Sequence, residues 1–135
     1  MKGSCLCGAI QYEVKTFEEN VSHCHCSKCR KFHGAATGTY GVVNKANFAW
    51  TAGEDRIAVY RSSDQAERGF CPQCGSSLYF RFLSNPDFID IALGTLDEEP
   101  DQLPKDHIYT ASKAKWCVIG DGLPQYPGAR PIIDE

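Results

Sequence analysis

The sequence lacks an apolar run long enough to cross a bilayer, and its first residues do not form the apolar core of a secretory signal. It also lacks a strong charge of either sign, because 14 basic and 17 acidic residues leave a formal net charge of -3. Such a balance gives no general electrostatic attraction to nucleic acid or acidic lipid. We therefore predict a cytoplasmic protein that binds neither nucleic acid nor membranes.

A long amphipathic helix is absent as well, so we expect few helices, all of them short. Short runs rich in β-branched and aromatic residues recur between turn signals, as in mostly antiparallel β folds. A helical turn is predicted at 27–33 with Ser27 as its N-cap, followed much later by an irregular proline-containing tail at 120–132. The length suits one domain, residues 1–135. The predicted strands are residues 10–14, 39–43, 47–51, 56–61, 78–82 and 88–93, with a weaker candidate at 107–109.

Cysteine is the residue that the sequence has in excess, with eight in 135 residues. In a reducing compartment, clustered thiols indicate metal ligands rather than a disulfide framework. A structural zinc site closes with four protein ligands, whereas a catalytic site uses three and keeps one position open. Seven cysteines divide into four plus three, which predicts two Zn²⁺ ions per chain. They fall in three groups: Cys5 and Cys7; Cys24, Cys26 and Cys29; Cys71 and Cys74.

The pair Cys71 and Cys74, followed by Gly75, has the spacing of a zinc knuckle. A redox Cys-x-x-Cys motif would open a helix, whereas the residues that follow here predict a strand. The knuckle needs two further ligands. Cys5 and Cys7 are the simplest donors, although the spacing also allows Cys24 and Cys26 to take that place.

The remaining triad can reach one ion from a single short loop. A histidine could close this site as a fourth ligand, and the spacing alone does not decide between a closed and an open site. The candidates are His23, His25 and His33. Three basic residues flank the triad, where they could offset its negative charge, contact an acidic substrate or simply face solvent: Lys28, Arg30 and Lys31.

If the fourth position is open, zinc can bind a small thiol substrate as its thiolate, or activate a water molecule. No acidic residue close to the triad in sequence marks itself as a general base. Phe32 and Tyr40 are the aromatic residues expected to line such a site, because they follow the triad closely. Trp116 is expected in the core, as is the eighth cysteine, Cys117.

Taken together, the motifs resemble the glutathione-dependent formaldehyde-activating enzyme family, which also includes centromere protein V. The resemblance covers nearly the whole chain. The motifs that carry it are Gly3-Ser4-Cys5-Leu6-Cys7-Gly8, Cys24-His25-Cys26-Ser27-Lys28-Cys29-Arg30, Arg68-Gly69-Phe70-Cys71-Pro72-Gln73-Cys74-Gly75-Ser76 and Asp90-Ile91-Ala92-Leu93-Gly94-Thr95-Leu96-Asp97.

This resemblance implies an Mss4-like fold of coiled antiparallel β-sheets with zinc knuckles. It implies a structural zinc on Cys5, Cys7, Cys71 and Cys74, and a second, reactive zinc on Cys24, Cys26 and Cys29. The implied activity is that of a carbon–sulfur lyase that forms S-(hydroxymethyl)glutathione from glutathione and formaldehyde. The alternatives are a non-enzymatic zinc-stabilised binding module and a carrier of glutathione adducts.

Overall fold

The computed structural model describes residues 1–131. These residues form ten strands and one α-helix, with four short 3-10 turns. The expectation of a mainly β fold with few short helices is confirmed. None of the helices in residues 1–131 is long and apolar enough to span a membrane. The strands are β1 (Lys2–Ser4), β2 (Gln11–Val14), β3 (Ser22–Cys24), β4 (Gly38–Asn44), β5 (Phe48–Ala52), β6 (Ala58–Ser63), β7 (Ala66–Phe70), β8 (Ser77–Phe82), β9 (Phe88–Ala92) and β10 (Asp106–Ile108), and the helix is α1 (Ser27–His33).

The strands form two sheets. The smaller has the order β1-β2-β5, and the larger has the order β10-β3-β4-β9-β8-β7-β6. Neighbouring strands in both sheets run antiparallel, except for the parallel pair of β10 and β3. Every strand that the sequence pattern predicted is present within a few residues of its expected bounds. The strands missed were β1, β3 and β7, which are short or contain charged and cysteine residues.

The main core lies between the two sheets. In β2 the side chains alternate, so that Tyr12 and Val14 are buried while Gln11 and Glu13 face solvent. They join a cluster that includes Val43, Tyr79 and Ile91 of the large sheet. Full burial of such apolar side chains stabilises the fold by about 1.5–3 kcal/mol each. One face of the large sheet is thus used for packing.

The other face of the large sheet carries a different set of side chains. In an antiparallel sheet, directly paired residues point to the same face. The registers align Arg68, Phe80, Asp90 and Val42 across four neighbouring strands. This row places two charged residues among apolar ones, beneath the helix and the tail. It forms the floor of the cavity described below.

Helix α1 has the predicted bounds, but the predicted cap was wrong. Cys26, not Ser27, is the N-cap, and its sulfur accepts a hydrogen bond from the Cys29 N–H at 3.3 Å. Cys26 has the extended backbone of a cap residue, so its thiol takes the place that a serine hydroxyl usually fills. The helix ends at Gly34, whose left-handed φ of 60° glycine adopts without strain.

The tail is irregular up to residue 131, as expected, and residue 132 lies outside the described part of the chain. It is held against β10, because the His107 N–H donates to the Pro124 carbonyl and the Tyr126 N–H donates to the His107 carbonyl. Two expectations about the core were wrong. Trp116 is 72% exposed, and Cys117 is only half-buried. Both lie in the irregular segment before the tail, where no strand carries them into the core.

Candidate metal centres and the adjoining cavity

The structure brings four cysteines together where the two sheets meet. Cys5 and Cys7 lie in the turn that follows β1, while Cys71 and Cys74 lie in the turn between β7 and β8. Their sulfur atoms all lie within 4.8 Å of one another, so the group could hold a metal ion. The alternative in which Cys24 and Cys26 complete the knuckle does not fit this arrangement, because those two cysteines lie in a separate group.

The sulfur separations match a tetrahedral metal site. Cys7 Sγ lies 3.6 Å from Cys5 Sγ and 3.8 Å from Cys71 Sγ. Zinc–sulfur bonds of about 2.3 Å place the sulfurs of a tetrahedron about 3.8 Å apart. Backbone N–H groups also point at the thiols, since Ile10 N–H donates to Cys5 Sγ at 3.3 Å. Hydrogen bonding by Ser76 lowers the pKa of Cys74 to about 5, which favours the thiolate that a metal requires.

The second group contains three cysteines: Cys24 at the end of β3, Cys26 at the N-cap and Cys29 in the first turn of α1. Their sulfurs again lie within 4.8 Å of one another. Hydrogen bonds from the neighbouring thiols, Cys24 first, lower the pKa of Cys26 well below its usual value. No fourth ligand joins them from residues 1–131. The group therefore has the composition of an open site.

The three histidines considered as a fourth ligand all bond elsewhere. His23 Nδ1 lies 2.7 Å from Thr39 Oγ1. His25 Nε2 lies 2.8 Å from Nδ1 of His107, whose Nε2 lies 2.8 Å from an Asp121 carboxylate oxygen. Asp121 only accepts, so His107 donates to it and His25 donates to His107 when both rings are neutral. This chain holds the backbone between Cys24 and Cys26. The His23 ring stacks on that of His107 at 4.7 Å, and together with Asp121 these histidines form a third group whose ligand atoms lie within metal-binding distance of one another.

His33, the third histidine, is turned toward Tyr40 rather than toward the cysteines. Its Nε2 lies 2.5 Å from the Tyr40 oxygen, and the Arg68 Nη1 donates to that same oxygen at 3.4 Å. Because Arg68 can only donate, the Tyr40 hydroxyl is free to donate to His33. Burial, reinforced by the nearby Arg68 charge, lowers the pKa of His33 to about 4, so that its ring is neutral at pH 7.

The cation beside the three cysteines is Arg68 of β7, the first residue of the motif at 68–76, to which the sequence pattern assigned no role. Its side chain is buried, and both terminal nitrogens lie close to Cys29 Sγ, at 3.6 and 3.7 Å. The guanidinium is held between Phe32 and Phe80, at 5.5 and 4.9 Å from the ring centroids. Among the three flanking basic residues of the sequence, Lys28 lines the cavity beside the cysteines.

A cavity of about 720 Å³ opens directly onto the three cysteines. Its floor is the face of the large sheet that the core does not use, and its other walls are α1, the β6–β7 turn and the tail. Tyr40 lines it as predicted. Phe32 does not line it but lies behind Arg68, and Phe80 takes its place. The volume falls within the range of about 300–1,000 Å³ typical of small-molecule sites.

Residues 1–112 match the family model described as glutathione-dependent formaldehyde-activating enzyme. The chain belongs to this family. A Schizosaccharomyces pombe protein named as an uncharacterized lyase is 34% identical over 91 residues, which cover 66% of this chain and 64% of the relative. A Podospora anserina protein provisionally named as a glutathione-dependent formaldehyde-activating enzyme is 36% identical over 100 residues, which cover 70% of this chain and 46% of the relative.

The chain thus spans about half to two-thirds of the length of these curated relatives. Among solved structures, a crystal structure of a Rhodobacter sphaeroides protein superimposes with a TM-score of 0.63 at 26% identity. The superposition covers 75% of this chain and 92% of that protein. The fold therefore agrees with that of an experimentally determined structure over most of its length.

This member of the glutathione-dependent formaldehyde-activating enzyme family also has an acidic residue in the cavity, one that is distant from the triad in sequence and was assigned no role there. Asp90 lies in the middle of β9, and desolvation raises its pKa to about 7. It was missed because it is more than sixty residues from the triad in sequence and meets the cavity only through the pairing of β9 with β4. Its signal was a lone charge in an otherwise apolar strand, Phe88–Ala92.

Proposed function

We propose that the protein is a zinc-dependent enzyme that adds a small thiol, glutathione in the first instance, to formaldehyde or another small aldehyde. The observation that carries this proposal is a group of three cysteine sulfurs, without a fourth ligand from residues 1–131, on the wall of a cavity of about 720 Å³. Three protein ligands with an open fourth position are what catalytic zinc sites use. The family model and the names of the relatives support the same chemistry.

In this proposal Cys5, Cys7, Cys71 and Cys74 hold a structural zinc. It links the turn after the edge strand β1 to the β7–β8 turn of the large sheet. Cys7 and Cys71, one from each turn, are 64 residues apart in sequence. Because a metal that binds only the folded chain contributes its binding free energy to folding, this site stabilises the contact between the sheets.

In the same proposal Cys24, Cys26 and Cys29 hold the second zinc. When bound there, zinc supplies an electrophilic position at which a thiol is held as its thiolate at neutral pH. The chain provides the surroundings for that position. Arg68 offsets the negative charge of the thiolates and restrains Cys29, while Tyr40 and His33 fix the orientation of Arg68.

The reaction itself needs no redox partner. The thiol loses its proton to solvent, and its sulfur electron pair forms a bond to the aldehyde carbon. The carbonyl π pair moves to the oxygen, which takes a proton from water, so protons balance. The cavity is far larger than formaldehyde, and we infer that its volume serves to bind the thiol, positioning the sulfur for addition.

The test compares Cys26→Ser with Cys117→Ser, a cysteine outside both groups. We expect the wild-type protein to carry two zinc ions and to accelerate the formation of the glutathione–formaldehyde adduct above the uncatalysed rate. Cys26→Ser should lose one zinc and this acceleration with an unchanged circular dichroism spectrum. Cys117→Ser should retain both zinc ions and full activity.

Two results would overturn the proposal. If the wild-type protein carried both zinc ions but did not accelerate the reaction, the remaining candidates would be a binding module and an adduct carrier. A measurement of equilibrium binding would distinguish them, because only a carrier binds the adduct. Full activity in Cys26→Ser would remove the three-cysteine group from the reaction.

A further inference from the structure

A second cavity, of about 410 Å³, adjoins the one that opens onto the three cysteines. Four residues line both cavities: Asn20, Val42, Phe82 and Asp90. Because the same four residues line both, the two cavities lie side by side, and we call the two together the groove. We call the second cavity the distal cavity.

The two cavities differ in charge. The cavity that opens onto the cysteines is lined by one carboxyl group, that of the shared Asp90, and by three cationic side chains: Lys28, Arg68 and Arg130. No basic residue among 1–131 lines the distal cavity. Its lining has two carboxyl groups, two carboxamides and two phenyl rings: Glu18, Asp90, Asn20, Asn85, Phe82 and Phe88. Carboxylates and aromatic faces both attract a cation, so the distal cavity suits a positively charged group.

Asp90 is the clearest sign of a missing partner. No residue among 1–131 forms a hydrogen bond or an ion pair with its carboxylate, and its partners in the register, Val42 and Phe80, are both apolar. The cations nearby are engaged elsewhere, since Arg68 contacts Cys29 and Arg130 pairs with Asp106. Desolvation accordingly raises the pKa of Asp90 to about 7. A bound cation would offset the cost of this poorly solvated carboxylate.

The distance between the two ends of the groove sets the size of the ligand. Cys24 pairs with Gly38, whereas Asp90 pairs with Val42, so they lie two strands and four register positions apart. Strand spacing and rise place their Cα atoms about 16 Å from each other. Both side chains extend into the groove, so the distance left between the cysteine sulfur and the Asp90 carboxylate is shorter than this. It suits a ligand whose thiol and cation are separated by about two or three residues of extended peptide.

We propose that the distal cavity binds an ammonium group of the thiol substrate, with Asp90 as its principal partner and Glu18 as its second. This inference rests on the proposed function for its placement of the thiol at Cys24, Cys26 and Cys29. The substrate class that follows is a peptide-like thiol with a free amino group at its far end. Phe82 and Phe88 contribute their ring faces to the same ammonium group.

The experiment uses zinc-loaded protein at pH 8, where Asp90 is ionised, with glutathione and its N-acetyl derivative as paired probes. Both the specificity constant with formaldehyde and the direct binding of each thiol, by calorimetry, are measured. The wild type should prefer glutathione over the N-acetyl derivative by about tenfold or more, because a hydrogen-bonded ion pair is lost on acetylation. Asp90→Asn should remove that preference by weakening glutathione alone.

Asp87→Asn is the matched control, since Asp87 is an exposed carboxylate paired with Lys45 outside both cavities. It should retain the wild-type preference. Glu18→Gln should reduce the preference for glutathione by a smaller factor than Asp90→Asn does. It provides a second test of the ammonium site if Asp90→Asn folds poorly.

The outcomes separate the inference from the proposed function. A wild type that turns over both thiols equally, or an Asp90→Asn variant that weakens both equally, overturns the ammonium site and leaves the enzyme proposal standing. A binding preference that depends on Asp90 without any turnover supports the ammonium site and overturns the enzyme proposal. Failure of both thiols to bind overturns both.

Discussion

The two cysteine groups use the same ligand chemistry in opposite settings. The four-cysteine group joins two turns, where the Ile10 N–H donates to Cys5 Sγ and the Ser76 hydroxyl lies 3.2 Å from Cys74 Sγ. The three-cysteine group lies at one helix start, faces a large cavity and has a buried arginine against one sulfur. The first arrangement closes on itself, whereas the second leaves one side of its sulfurs for a ligand.

The difference lies in what neutralises the thiolates. At the four-cysteine group the hydrogen bonds to the sulfurs come from residues close to the cysteines, such as Ile10 and Ser76, and no cation contacts them among the described residues. At the three-cysteine group the compensating charge comes from β7, 39 residues away from Cys29 in sequence. A charge delivered from another strand can stabilise the thiolates without filling the open coordination position. We therefore expect substitutions in the two groups to have separable effects.

The largest expected effect is that of Cys71→Ser. Cys71 is buried, and its loss removes one of the four cysteines that we propose to hold a zinc ion between the sheets. We expect the free energy of unfolding to fall by more than about 4 kcal/mol, the range associated with loss of a structural metal. Urea unfolding followed by circular dichroism, with zinc determined on the same samples, measures this. Cys117→Ser is the control and should change stability by less than about 1 kcal/mol.

If Cys71→Ser unfolded cooperatively with wild-type stability, the contrast between the two cysteine groups would be contradicted, because the four-cysteine group would then not hold the fold together. The comparison would equally break if Cys26→Ser unfolded the chain as completely as Cys71→Ser.

The next effect in size is that of Arg68→Met. Methionine can pack between Phe32 and Phe80 but carries no charge to offset the thiolate of Cys29. We expect zinc affinity at the three-cysteine group to fall by about 10- to 100-fold, as for other groups that contact metal ligands. Competition with a chromophoric chelator should show one weakened site and one unchanged site. Arg68→Lys keeps the charge but not the planar guanidinium, so the zinc affinity of its three-cysteine group should lie between those of the wild type and Arg68→Met. Equal weakening of both sites would contradict the separation of the groups.

Local patterns predicted the three cysteine motifs and most of the strands, whereas the grouping of Cys5 and Cys7 with Cys71 and Cys74 came from the family resemblance. The spacing of the thiols depends only on a turn a few residues long. The alternation of apolar residues depends only on one strand packing one of its faces against the core. The bounds of α1 followed for the same reason, while its cap did not, because cysteine is seldom considered as a capping residue. The missed strands β1 and β3 are only three residues long, which is too short for an alternation to be visible.

The chemistry of the cavity was the part that the sequence did not reveal. Arg68 and Asp90 meet the cysteine cavity only because β7, β8, β9 and β4 pair in a register that spans nearly fifty residues. A single sequence does not specify that register. Asp90 nevertheless stands out in the sequence, because it is the one charged residue in a predicted strand of otherwise apolar residues.

The smallest expected effect is that of the Asp90 carboxyl on stability, which contrasts the cavity with the four-cysteine group. Burial raises the pKa of this carboxyl from 3.8 to about 7, so the folded state binds its proton more tightly than the unfolded state does. Between pH 4 and 7 the unfolded state is ionised while the folded state keeps the proton. Stability therefore falls as pH rises through this window and stays low above pH 7.

Asp90→Asn removes this pH dependence. Relative to the wild type, the variant should become more stable by about 1 kcal/mol between pH 6 and pH 8, since one pKa unit corresponds to about 1.4 kcal/mol. Urea titrations of both proteins with zinc present at each pH measure the difference, in which effects common to the metal sites cancel. Asp87→Asn should show no such change, because its carboxylate is exposed. An Asp90→Asn variant that gained nothing at pH 8 would mean that the Asp90 carboxylate is already compensated, and the ammonium subsite would lose its physical basis.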